Sequence, residues 1–183
     1  MAGFSLRGAT GDPRVKAVIS VDGFFDLEAA VQARIPPWFL SLIENGGITD
    51  GIFNNLLALS SALNFQTRWE FGHAMWAFGA PSPTKVLREP AKYTLAPEGK
   101  DLLANIRCPV MVTGARETLY DPPEVGPMRM YNALTQLKES SEKKIWIGTT
   151  VSNGGLQAKV AALAVSHFGM FSWLDDQMGI VRK

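Results

Sequence analysis

A serine two places after a glycine, with a further glycine close behind, opens this chain: Gly3-Phe4-Ser5-Leu6-Arg7-Gly8. In the pattern glycine–any–serine–any–glycine, the serine stands on a tight turn between a buried strand and a helix, where its hydroxyl can attack a carbonyl carbon. Gly3 would let the two backbones approach closely. The N–H of Leu6 would then point at the oxyanion that the attack creates. Such chemistry needs a base to take the serine proton, and the chain has two histidines, His73 and His167. The pattern is imperfect: Arg7 replaces the second glycine, Gly8 comes one place late, and only Met1 and Ala2 precede Gly3, too few for a strand to feed the turn. The competing reading of Ser5 is a polar residue on a frayed N-terminus.

A nucleophile of this kind depends on strands and helices to place it. Val15–Val21 is β-branched and nearly continuous, as expected of a strand covered on both faces in a parallel sheet, and it stops at Asp22-Gly23. Pro109–Thr113 and Lys144–Ile147 predict two further strands, ended by Gly114 and Gly148. Helical spacing follows each, over Pro123–Leu137 and over Leu156–Met178, where Val160, Leu163, His167 and Phe171 share a face. Strand and helix in alternation predict an α/β fold with a parallel sheet and right-handed crossovers.

Phe24–Arg107 is too long for a simple crossover and reads as mostly helical, with breaks at Pro36-Pro37, Gly46-Gly47 and Pro81-Ser82-Pro83. Three of the five tryptophans, Trp38, Trp69 and Trp76, fall in it. The predicted organisation is a core of residues 1–23 and 108–183 and a helical cap insertion of residues 24–107. Such a cap would lie over the strand ends, where an open α/β sheet binds ligands. The alternative is a plain helical insertion whose aromatics pack as core.

Composition narrows the partners. With 183 residues, 46% hydrophobic, the chain can bury a real core, and a net charge of +1 supplies neither a basic patch for nucleic acid nor an acidic tail. The single cysteine, Cys108, rules out an internal disulfide framework and reads as a small buried residue ahead of a strand in a reducing, cytoplasmic setting. No leader and no membrane-length apolar run is present in the sequence. No cofactor or metal is expected, because metal-ligand types are not clustered and no phosphate-type glycine loop precedes a helix.

Taken together, Gly3–Leu6, Asp12–Val18 leading into Asp22–Leu27, Arg68-Trp69, Met75–Ala80 with Ser82-Pro83, Ile106–Val110, and Gly154–Val160 with Phe171 and Trp173–Asp175 resemble an α/β-hydrolase family. This family includes dihydropseudooxynicotine hydrolase and fungal hydrolases that shorten polyketide pigment precursors. The resemblance covers nearly the whole chain and corresponds to the C-terminal part of a partial α/β-hydrolase fold, a parallel sheet remnant with a helical cap. It implies serine hydrolysis of an ester, amide or activated ketone in secondary metabolism, including carbon–carbon cleavage of polyketide β-diketones, with a small-molecule substrate.

The resemblance also implies a triad. Its nucleophile falls on Ser5 and its acid on Glu117, just after the second strand, with Asp121 in reserve as either acid or turn residue before Pro122. Its base belongs in the loop after the third strand, yet Gly148–Gly155 holds no histidine, which leaves His167. If the last helix begins near Leu156, His167 lies 11 residues on. That is about 16 Å along the axis, against the roughly 3 Å that proton transfer requires. The apolar face it shares suggests a core histidine, whereas a later helix start would restore it as base. His73 falls in the cap. The competing functions are a catalytically inactive remnant or binding module, and a truncated gene model. The first strand, without a preceding neighbour, is expected to leave an edge open to self-association.

Overall fold

The structure, a computed structural model, describes residues 2–181 apart from 34 and 140. The core's expected ends at Met1, Arg182 and Lys183 lie outside the described residues. In chain order the elements are α1 (Ala2–Ala9), β1 (Val18–Val21), α2 (Leu27–Gln32), α3 (Pro37–Glu44), α4 (Asp50–Leu63), α5 (Phe65–Phe78), α6 (Pro83–Arg88), β2 (Val110–Ala115), α7 (Pro127–Ala133), β3 (Lys143–Gly148) and α8 (Leu163–Met178). The chain divides into two compact units, Met1–Phe25 with Leu95–Lys183, and Asp26–Thr94.

The first unit is built on a three-stranded parallel sheet in the order β1-β2-β3. Val18 pairs with Val110 and Val21 with Thr113, while Val112 pairs with Ile145. All six residues of β2 are buried, as a central parallel strand requires. Because side chains alternate along a strand, the sheet has two apolar faces. Val18, Val110 and Val112 pack with Leu6 and Ala9 of α1 and with Leu103, Ile106, Met130 and Leu134. Met111, with Ile19 and Val21, packs against Met170 and Trp173 of α8. Thus α1 and α8 cover opposite faces.

Three expected boundaries move. β1 starts at Val18 rather than Val15, because Asp12 accepts from the Arg14 N–H at 3.0 Å and from its guanidinium at 2.9 and 2.7 Å, folding the approach into a turn. α7 starts at Pro127, where a missing N–H has no cost, and ends at Ala133, inside the expected Pro123–Leu137. The last helix begins at Leu163 rather than near Leu156. Ala158 and Lys159 ahead of it have φ of 54° and 59°, in the left-handed region closed to a helix.

The second unit is helical. Thr49 and Asn64 cap α4 and α5 by accepting the N–H groups of Ile52 and Thr67 at 3.4 and 3.1 Å. Asn54 of α4 receives the Thr84 N–H of α6 at 3.1 Å, and Phe53 is buried beside Phe39, ring centroids 6.1 Å apart. Trp38, Trp69 and Trp76, expected either as core or as the lining of a cap, are exposed to 66%, 54% and 80% and are therefore not core. Among the described residues no helix is long and apolar enough to cross a membrane.

Candidate functional site

Ser5 lies within α1, not on a turn, and its side chain is exposed while Leu6 beside it is fully buried. The glycine ahead of it does permit a close approach: a Cβ at Gly3 would sit 2.8 Å from the carbonyl oxygen of Phe24, in the loop after β1. Only a residue without a side chain fits there unshifted.

The carboxyl ends of β1 and β2 carry a buried polar assembly. Asp22, directly after β1, has φ of 48°, and its side chain is 6% exposed. Lys159 Nζ lies 2.8 Å from Asp22 Oδ1 and donates to the Gly114 carbonyl at 2.6 Å, with the Trp146 ring 5.7 Å away. Thr113 donates its hydroxyl to Asp22 Oδ1 at 3.2 Å, and the Ala158 N–H donates to Oδ2 at 2.7 Å. Every charge in the pair is thereby met by an opposite charge and by hydrogen bonds, the condition for burying one.

Beside the assembly is a cleft lined by Asp22, Phe24, Ala115, Thr118, Asp121 and Gln157, with about 200 Å³ of empty space including its open mouth. Ligand pockets run from about 300 Å³ upward, so the cleft of this unit is smaller than a drug-sized molecule needs. Asp121 is 8% exposed, and its carboxylate occupies the place a Cβ on Gly126 would take. Glu117 is exposed. Its backbone N–H donates to the Gly155 carbonyl at 2.8 Å, tying the loop after β2 to the loop after β3.

Ser5 and His167 ride on helices covering opposite faces of the sheet, and neither they nor Glu117 lines the cleft, whereas Asp121 does. His167 departs from the core-histidine reading in its environment. The late start of α8 puts it in the second turn of that helix, but the buried stripe is Ser166, Met170 and Trp173, which leaves His167 exposed against Phe171, centroids 6.0 Å apart. It is no core histidine. His73, in the helical unit, is stacked on Trp69 at 5.4 Å and tilted against Trp76 at 5.8 Å.

Asp22 and Lys159 were not legible as a buried pair. Asp22 read as a strand terminator, and Lys159 as one charge in a run taken for helix. The available signal was Gln157 and a lysine inside an otherwise apolar and small-residue stretch, Gly154–Ala164. Among the described residues no group of three or more His, Cys, Asp or Glu is placed to hold a metal ion.

Comparison with known proteins bears on this arrangement. The chain is 42% identical over its whole length to the hydrolase LUC6 of a Fusarium species. It is 44% identical over 97% of its length to the 20-hydroxy-prefusarin hydrolase FUS2 of Gibberella moniliformis, and 40% identical over its whole length to the alpha/beta hydrolase psoB of Aspergillus fumigatus. The chain is a relative of the fungal α/β-hydrolases. Its parallel sheet with helices on both faces is a partial α/β-hydrolase fold, and it spans 42%, 41% and 41% of the lengths of these three relatives. No family model and no solved structure matches it.

Proposed function

We propose that this α/β-hydrolase relative is the C-terminal portion of a serine hydrolase of fungal secondary metabolism, acting on an ester or activated carbonyl, with carbon–carbon cleavage of polyketide β-diketones within its range. The observation that carries this reading is the cleft at the carboxyl ends of β1 and β2, where open α/β sheets bind ligands, with the nearly buried carboxylate of Asp121 in its wall. Ser5 is assigned as the nucleophile from its place in the Gly3–Leu6 motif, although in the structure it lies within α1 and does not line the cleft. Its Oγ bonds to the carbonyl carbon as its proton passes to a base, and the carbonyl electron pair moves onto the oxygen. The C–O or C–C bond then breaks, and the electron pair leaves with an alkoxide or enolate that recovers the proton. Water hydrolyses the acyl-serine and restores the hydroxyl. The approach of Gly3 to Phe24 supports this role for the Ser5 segment. For the acid, burial and the cleft position favour Asp121 over the exposed Glu117.

A second reading, a binding module without turnover, is favoured by one observation: neither described histidine stands at the cleft. A fluorophosphonate probe separates the two. Covalent labelling that disappears in Ser5→Ala, and persists in His167→Ala, is the expected result for the hydrolase. An unlabelled chain that still retains a ligand identically in Ser5→Ala supports the module.

A further inference from the structure

Lys159 takes no part in the reaction proposed above, yet at 1% exposed it is the most deeply buried charged side chain among the described residues. Removing a lysine and an aspartate from water is costly, and a well-packed apolar pair serves stability as well or better, so the pair is best explained by geometry it specifies. Three consecutive features agree. Asp22, Ala158 and Lys159 all hold left-handed backbone, an uncommon state for residues other than glycine. That backbone turns the Ala158 N–H onto Asp22 at 2.7 Å. The residue before it, Gln157, then accepts from the Thr118 hydroxyl at 2.6 Å and from the Leu119 N–H at 3.3 Å. Thr118 Oγ1 in turn accepts the N–H groups of Tyr120 and Asp121 at 3.2 and 3.3 Å.

We infer that Lys159, paired with Asp22, is a positioning residue: it fixes the backbone at residues 157–159 so that Gln157 clamps Thr118 and orders the loop carrying Glu117 and Asp121. The purpose of that loop rests on the hydrolase reading; the clamp does not. Gly148 and Gly155 complete the device, because a Cβ at either would run into the backbone of Gly154 or Thr150 and push the loop after β3 away from the sheet.

Two variants test it. The double variant Asp22→Leu with Lys159→Met removes both charges and leaves neither unpaired. Because it also removes the acceptor of the Thr113 hydroxyl and the Ala158 N–H, it is expected to melt below the wild type, while the amides of Leu119, Tyr120 and Asp121 exchange about tenfold faster and those of β2 and α7 change least. Gln157→Ala leaves the ion pair intact and is expected to accelerate the same three amides to the same degree. Wild-type exchange of that loop in Gln157→Ala overturns the inference, whether or not the double variant folds. Fluorophosphonate labelling of Ser5, slowed in Gln157→Ala at an unchanged melting point, ties the clamp to the reaction. A wild-type chain that does not label overturns the hydrolase reading, and exchange alone then decides the clamp.

Discussion

Gly3 and Gly8 share α1, yet a methyl group means something different at each. At Gly3 it would press on the Phe24 carbonyl oxygen at 2.8 Å, whereas at Gly8 nothing lies within 4 Å. Gly3→Ala is expected to destabilise the protein by about 1–3 kcal/mol through overpacking. Gly8→Ala is expected to stabilise it by about 0.5–1 kcal/mol through lower backbone entropy in the unfolded chain. Urea unfolding of the two variants reads both signs. Cys108 carries the other residue-level prediction. Partial burial raises its thiol pKa, so the neutral form is favoured by folding, present below the unfolded value and lost as pH climbs through the folded one. Alkylation by iodoacetamide should therefore be slower than that of a free cysteine at mildly alkaline pH, with its pH profile displaced upward; equal rates would contradict this. At this scale a close approach at Gly3 was expected, but from a strand leading into the serine turn, whereas the backbone that meets it is the Phe24 carbonyl after β1. The Asp22–Lys159 pair was not legible, because no pattern connects an aspartate at a strand end to a lysine 137 residues later.

The elements followed their periodicity more closely than their boundaries did. All three strands appear where β-branched runs predict them, and α2 to α5 fall in the segment 24–107 that reads as mostly helical. The boundaries shifted where side chains claimed the backbone: Asp12 at the approach to β1, and Asp22 drawing the Ala158 N–H away from the last helix. Periodicity also mistook the buried side of α8. The stripe through Leu163, His167 and Phe171 is as apolar as the one through Ser166, Met170 and Trp173, and only the tertiary fold selects between them. Caps, in contrast, are local and testable. Asn64→Ala removes the acceptor that holds the Thr67 N–H at the start of α5 and should cost about 1 kcal/mol of stability by thermal or urea unfolding.

For the molecule as a whole, the sheet has an open side. Val18 and Asp22 donate their N–H groups to Pro109 and Thr113, so by alternation Ile19 and Val21 turn theirs away from β2. Among the described residues β1 pairs with β2 alone. An unpaired parallel edge invites a second strand, and a charge pointing along it is the usual deterrent. The sedimentation coefficient of the wild-type chain is expected to rise with concentration; a wild-type monomer at every concentration would refute the edge as an association site.

The separation of 137 residues between Asp22 and Lys159 also bears on the order of folding. A contact so distant in sequence must wait until the intervening chain has been gathered, so it closes after the strands are in place. Lys159→Met, which leaves a buried carboxylate unpaired and should cost about 3–5 kcal/mol, is therefore expected to raise the unfolding rate and leave the refolding rate almost unchanged in stopped-flow experiments. A proportionate fall in the refolding rate would place the pair in the folding nucleus instead. A contact made last is also released first, so thermal breathing should open the loops above the strand ends while the sheet beneath them is still intact, and the cleft should close again without any strand having to re-form.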